Sequence, residues 1–373
     1  MNEPSDKTYS SRSIDALDSQ ILRCREPAEK LLLFAKKAGR LARFSCLPEA
    51  AAMVKELRAE NKNFDPQLSG WILLAEGLIE HFERLDNAKS KDKYNRAFLV
   101  GQMVDDHELA SIAAAWMSHC ELVSGQVKEA AEHIISAFNW SDVNGSEARG
   151  RASMVLGDAF NWAGQTEQAR VWYRSAREHA IRDGDIAMQN VMLFNGATFG
   201  VANLTLRDCF NAVPADLLKR VEMEAASAAN LNNALGIQSL ASLIPMMQAE
   251  LLIIKGKWSE ALNLLSTHID NTTLDGQKRL LPKFLAQRAW CHANLGEVEK
   301  SINFSRYSLE LVTDCKDLDD LTVLHARLSG VGRIIEDNQL EKNNRLASLE
   351  YARRFKIQQS DILEILSQAI ASI

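Results

Sequence analysis

Proline and glycine are scarce in this sequence, and long apolar runs are missing. The chain of 373 residues contains 7 prolines and 18 glycines, and no proline lies between Pro66 and Pro214. Short strands joined by tight turns depend on both residue types, so their scarcity argues against a β-sandwich and favours helices. No apolar stretch approaches the roughly 18 residues that cross a bilayer as a helix. The sequence therefore predicts an all-α protein with no membrane contact.

The sequence also lacks the signals of an exported protein. Its 6 cysteines are scattered without a CxxC pair, and the polar N-terminus has no apolar core of a secretion signal. These features predict reduced thiols and a cytoplasmic location. The net charge of −6 opposes a general nucleic-acid coat, so we expect no nucleic-acid partner.

Four glycines mark an internal repeat with a period of about forty residues. Each has a small residue five positions later and another seven positions earlier. Glycine can end a helix in the left-handed conformation at little cost, and small residues let the second helix lie close to the first. The glycines are Gly125, Gly164, Gly256 and Gly296, and the small residues before them are Ser118, Gly157, Ala249 and Ala289.

The same register extends along the chain to Ala75, Gly196 and Gly330. It predicts seven helix pairs, and Leu17–Glu60 forms a degenerate eighth pair at the N-terminus.

The residues of the most regular repeat are Leu156, Gly157, Phe160, Gly164, Ala169, Tyr173 and Ala176. This pattern resembles the tetratricopeptide repeat (TPR) family over about residues 68–355, although the period is longer than the family's and its helix-terminating proline is missing. The longer period is similar to the long-helix variant in the sensor regions of maltose-type transcription activators and bacillus response-regulator phosphatases. The resemblance implies a right-handed α-solenoid of about seven to eight antiparallel helix pairs.

We expect six segments along the chain. They are a flexible N-terminus (1–13), a degenerate helix pair that caps the array (14–66), TPR-like repeats (67–206), an insertion or extended helix pair (207–235), further repeats (236–337) and C-terminal helices (338–373). We expect the insertion to lengthen a helix pair; a lid or a dimer contact is the alternative. The C-terminal helices are expected to break at Gln358–Ser360 and to act as a cap, with a homodimer or partner contact as the alternative.

No motif for catalysis or cofactor binding occurs in the sequence. Phosphate-binding loops, G-x-S-x-G, H-E-x-x-H and EF-hand patterns are missing, and the eight histidines fall on unrelated helices. The acidic cluster Asp314, Asp317, Asp319 and Asp320 is interpreted as a solvated connection with helix caps. We therefore expect no enzyme activity, no catalytic residue, no cofactor and no metal.

The resemblance implies a concave groove, formed mainly by the first helix of each pair, that binds a protein or peptide. Trp162 and Trp290, beside Asn161 and Asn294, are expected to bind an extended peptide through aromatic area and side-chain amides. The alternative is that both tryptophans fill gaps between neighbouring repeats. The expected groove residues are His119, Arg151, Asp158, Asn161, Trp162, Glu250, Lys283, Trp290 and Asn294.

Three functions remain open at this point. The first is a non-catalytic scaffold or adaptor in bacterial regulation or complex assembly, and the second is a sensor of a peptide or small ligand that controls a transcription or signalling partner. The third is an enzyme with its site in the groove, for which no motif speaks.

Overall fold

We describe the protein from a computed structural model, which covers residues 11–84, 87–142, 145–235, 242–274 and 277–373. These residues form seventeen α-helices and two short 3-10 helices, and they contain no strand. Consecutive helices pack against each other, so the all-α prediction is confirmed. Over the same residues, no helix has both the length and the apolar character needed to cross a membrane.

The chain divides into two compact units, residues 1–192 with 361–373 and residues 193–360. The first unit holds α1 (Arg12–Arg23), α2 (Pro27–Arg43), α3 (Leu47–Glu60), α4 (Pro66–Arg84), α5 (Asn87–Met103), α6 (His107–Val123), α7 (Val127–Trp140), α8 (Ser146–Trp162) and α9 (Thr166–Asp183). It also contains the start of α10 (Ile186–Asp208) and the end of α17 (Asn338–Ile370).

The second unit holds the rest of α10 and α17 and the helices between them. These are α11 (Ala215–Leu235), α12 (Leu243–Ile254), α13 (Trp258–Leu274), α14 (Leu281–Asn294), α15 (Val298–Glu310) and α16 (Leu318–Ile334). The 3-10 helices Lys278–Leu280 and Val312–Asp314 stand before α14 and after α15.

The four turn glycines end helices as the sequence predicted. Gly125, Gly164, Gly256 and Gly296 have φ angles of 77°, 71°, 71° and 77°, in the left-handed region where a side chain is disfavoured. Hydrogen bonds from Ser301 Oγ to the Ala289 carbonyl and from Ser308 Oγ to the Pro282 carbonyl show that α14 and α15 run antiparallel.

Close approach of paired helices depends on small residues that face large side chains. A Cβ at Gly157 of α8 would lie 2.7 Å from the Tyr173 ring of α9, and one at Gly77 of α4 would lie 2.6 Å from the Tyr94 ring of α5. The equivalent position in α10 differs, because a Cβ at Gly196 would meet no atom within 4 Å. The repeat register therefore marks a true contact in α8, while the glycine of α10 faces open space.

Two expectations about the chain ends differ from the structure. Residues 14–66 contain three helices rather than a pair, because Pro27 begins α2 and separates it from α1. α17 runs through Gln358–Ser360 without a break, since neither glutamine nor serine interrupts a helix as glycine or proline does. Residues 1–10 of the expected flexible N-terminus lie outside the described residues.

The segment expected as an insertion contains α11, which begins after Pro214. Its Val221, Ala225 and Ala229 share a buried cluster with Leu204 of α10 and Leu251 of α12. α11 is therefore packed within the helix array of the second unit.

A pair of glycine-to-alanine substitutions tests the packing at Gly157. Gly157→Ala forces the Tyr173 ring away, and we expect it to lower the free energy of unfolding by about 1–3 kcal/mol. Gly196→Ala removes backbone entropy from the unfolded chain without a clash, and we expect a gain of up to about 1 kcal/mol. Chemical denaturation followed by circular dichroism measures both, and equal effects of the two substitutions would contradict the assigned packing.

Candidate functional site

The nine residues expected in the groove fall into two sets, one in each unit. His119 lies on α6, and Arg151, Asp158, Asn161 and Trp162 lie on α8, within the first unit. The second unit contains the other set, which consists of Glu250 on α12 and Lys283, Trp290 and Asn294 on α14. All nine lie on helices that begin a helix pair, as the sequence predicted.

Buried ion pairs of Arg43 hold the inner face of the first unit together. The Arg43 guanidinium on α2 donates to Glu147 of α8 at 3.1 Å and to Asp185, the residue before α10. Arg40, one helical turn earlier, donates to Glu147 at 2.6 Å. Burial disfavours the Asp185 carboxylate, but Arg43 and Arg40 outweigh it and lower the pKa of Asp185 below its usual value. These contacts join helices that are more than a hundred residues apart in the chain.

Arg151 is a buried cation that has no carboxylate partner. It is 5% exposed, and its guanidinium carbon lies 3.9 Å from the centre of the Trp116 ring, a close cation–π contact. Among the described residues it forms no ion pair within 4.0 Å, and its one hydrogen bond goes to the Met154 sulfur at 3.9 Å. Burial and the nearby Arg43 guanidinium lower the pKa of Arg151 to about 10. The site therefore has an uncompensated positive charge.

His119 completes an aromatic cluster beside Arg151. Its ring meets the His81 and Trp116 rings edge-on, with centres 5.3 and 5.9 Å apart. Burial, followed by the charges of His81 and Arg151, lowers the pKa of His119 well below its usual range. His119 is therefore a neutral imidazole near pH 7, and its Nδ1 is buried without a hydrogen-bond partner among the described residues.

Polar groups further along α8 bond within the first unit. Tyr173 donates a hydrogen bond from its hydroxyl to Asp158, and Asn161 Nδ2 donates to the Tyr173 hydroxyl at 3.3 Å. Half-buried Trp162 packs against the cluster that includes Ile362 and Leu366 of α17. The structure thus buries Asp158 and Asn161, and it covers the apolar end of α17 within the first unit.

The second unit buries Lys283 between two carboxylates. Its ammonium lies 2.8 Å from Asp320 and 3.2 Å from Glu250, and Gln287 donates to Glu250 at 2.8 Å. Burial works against the ammonium, but Asp320 and Glu250 outweigh it and raise the pKa of Lys283 above its usual value. In contrast to Arg151, this cation is compensated.

Trp290 packs tightly in the second unit. The Arg327 guanidinium lies over its ring at 5.5 Å, and the Trp258 ring meets it edge-on at 6.1 Å. A Cβ at Gly330 would collide with the same indole ring. Asn294 donates to the Trp290 carbonyl at 2.8 Å, while the indole N–H is buried without an acceptor among the described residues.

The described residues contain no group of three or more His, Cys, Asp or Glu side chains placed to hold a metal ion. Burial raises the pKa of Cys120 to about 11 and that of Cys291 to about 12. Both thiols are therefore protonated near pH 7, which makes them poor nucleophiles.

The sequence analysis missed α1, Arg43 and Trp116. The aliphatic residues Ile14, Leu17 and Ile21 follow helical spacing and all three are buried, so the period of α1 was a usable signal. Arg43 and Trp116 carried no such signal, because their partners come from distant helices. Together these elements define a helix-pair protein whose first unit has a basic and aromatic inner face.

Comparison with known proteins identified no family model that matches the chain and no matching curated protein.

Asp319 gives the second unit a predicted pH dependence. Burial and the neighbouring Asp320 and Asp317 raise the pKa of Asp319 from 3.8 to about 7. The folded state therefore holds this proton more tightly than the unfolded chain, and its stability contribution is lost as pH rises toward 7. We expect Asp319→Asn to gain stability relative to the wild type between pH 5 and pH 8, about the interval over which the carboxyl ionises.

Thermal unfolding of both proteins across this range measures the effect, and Asp314→Asn is the control because Asp314 is exposed on the same connection. Parallel pH profiles for the wild type and Asp319→Asn would contradict the assigned proton.

Proposed function

We propose that this protein is a non-catalytic scaffold of the long-helix TPR-like class that binds a protein or peptide on the inner faces of its helix pairs. Under this proposal the helices continue as a right-handed α-solenoid of seven to eight pairs, and the protein acts in the cytoplasm. The repeat phrase, the left-handed turn glycines and the antiparallel pair α14–α15 support this class.

One observation carries the binding proposal. The first unit accommodates two amphipathic segments of its own chain, α1 through Ile14, Leu17 and Ile21, and the end of α17 through Ile362 and Leu366. A surface that packs such segments in cis has the apolar area and the shape that helical recognition requires. The sequence-predicted residues Trp162 and Trp290 stay half-buried, so part of each indole remains available to a partner.

Partner capture by tryptophan variants tests the proposal. The full chain is immobilised and exposed to extract from cells that naturally express it, and retained proteins are quantified by mass spectrometry. We expect one set of proteins to be retained by the wild type and reduced at least tenfold by Trp162→Ala or Trp290→Ala, because truncation of a central aromatic residue costs about 2 kcal/mol or more.

Trp140→Ala is the matched control, because Trp140 is a half-buried tryptophan at the end of α7, the second helix of its pair. Circular dichroism checks that every variant keeps its helicity. Equal retention by all four proteins would contradict groove binding.

The uncompensated charge of Arg151 favours a second candidate, a sensor of a small anionic ligand. A carboxylate or phosphate that pairs with this guanidinium supplies the missing negative charge. Such a ligand binds only the folded state and therefore raises the melting temperature.

Thermal shift assays with a panel of carboxylates and phosphates test this candidate. We expect an anion to stabilise the wild type by several degrees and to leave Arg151→Met unchanged. Without ligand, Arg151→Met should melt above the wild type, because it removes a buried unpaired cation and keeps the volume. A variant that melts below the wild type, together with no response to any anion, would rule out this role for Arg151.

A further inference from the structure

The helix α1 lies on the basic side of the first unit, across α2. Asp18 of α1 pairs with Lys37 of α2 at 2.5 Å, and Ile21 and Leu17 share a buried cluster with Leu33. At its other end, α1 reaches the turn before α10, where a Cβ at Gly184 would lie 2.5 Å from the Cβ of Arg12. This helix therefore spans from α2 to the start of α10 on one face of the unit.

The attachment of α1 depends on few side chains. Of its 12 residues, only Ser13, Ile14, Leu17 and Ile21 are buried, and Leu22 is 85% exposed. Non-helical residues 24–26 join it to α2. The burial of three aliphatic side chains competes with the conformational entropy lost when a twelve-residue segment is ordered, so the helix is held with a small net free energy. Such a segment opens locally while the rest of the unit stays folded.

The packing beneath α1 is also incomplete. A cavity of about 50 Å³ lies under Leu17, and its walls include Trp71, Leu74 and Leu78 of α4 with Arg40 and Glu147. Leucine leaves this space empty of protein atoms, and the loss of contacts at a void weakens the fit. A helix with a larger apolar residue at this position gains contacts that α1 lacks.

The charge of the receptor surface indicates what such a helix carries. Lys36, Lys37, Arg40 and Arg43 line the second half of α2, and α1 meets this strip with Asp18. A basic strip favours carboxylates on the helix that docks against it, through charge-assisted hydrogen bonds and electrostatic steering.

We propose that this face of the first unit is a docking site for an amphipathic helix of a partner protein, and that α1 is its displaceable internal occupant. The partner helix has aliphatic residues at the spacing of Ile14, Leu17 and Ile21, a larger apolar residue in place of Leu17, and a carboxylate in place of Asp18. This inference rests on the proposed scaffold function and assigns it a site and a class of partner.

A peptide that copies α1 serves as the probe. It spans residues 11–25, which include Ser11, the residue whose side chain caps the helix by accepting a hydrogen bond from the Ile14 N–H. The labelled peptide is titrated by fluorescence anisotropy against the full chain, against Leu17→Asp/Ile21→Asp, and against Leu22→Asp. The double variant undocks α1 because it places charges in an apolar site, while Leu22→Asp makes the same change on the exposed side of the helix.

We expect the double variant to bind the peptide at least tenfold more tightly than the wild type. In the wild type the tethered α1 competes at a high effective concentration, and Leu22→Asp should behave in the same way. A peptide with Leu17→Phe should bind the double variant more tightly than the α1 peptide does, because it fills the cavity.

A charge exchange shows whether the peptide binds in the same pose. Adding Lys37→Glu to the double variant should weaken the α1 peptide, and a peptide with Asp18→Lys should restore the affinity. A non-specific amphipathic contact would show neither the loss nor the recovery.

Three results would overturn the inference. The first is no peptide binding to the double variant when circular dichroism shows its helices intact, and the second is equal binding to all three chains. The third is a stable dimer of the wild type in light scattering that Leu17→Asp/Ile21→Asp dissociates, which would make a second copy of this chain the occupant. If partner capture by the full chain persists in any of these cases, the scaffold proposal stands and only this docking site fails.

Discussion

The ion pairs of Arg43 are the contacts on which the inner face of the first unit depends. A guanidinium buried beside α6 requires carboxylates, and those of Glu147 and Asp185 come from the start of α8 and the turn before α10. Satisfying this one charge draws α2 toward both elements. It thereby places the basic strip of α2 beneath α1 and brings the guanidinium of Arg43 within 6.0 Å of the Trp116 ring.

Two further buried cations show the consequence of pairing or of its absence. Lys283 lies between Asp320 and Glu250, so its positive charge is compensated within the second unit. Arg151 has an aromatic ring beneath it and no carboxylate, so its charge is left for something else to compensate. The difference distinguishes a structural ion pair from a candidate ligand contact, although both residues were selected by the same repeat position in the sequence.

Local rules predicted the part of the fold that depends on one residue and its neighbours. Gly125 and Gly164 end helices with positive φ, as a glycine at a helix end should, and Gly157 allows the close approach of Tyr173. Gly196 has the same register but faces open space, because the contact depends on the residue that the neighbouring helix presents. The partners of Arg43 were beyond prediction for the same reason, since they are 104 and 142 residues away. The role of α1 was partly legible in its period, but only the structure shows what it covers.

The central claim is that α1 is a reversible occupant of a helix-binding face. Hydrogen–deuterium exchange under native conditions measures this directly, because it compares the opening of α1 with that of the helix it covers. We expect the amides of Arg12–Arg23 to exchange at least a hundredfold faster than the core amides of α4, through local opening that leaves α4 protected. Amides of α1 that exchange as slowly as those of α4, and only upon global unfolding, would contradict the account.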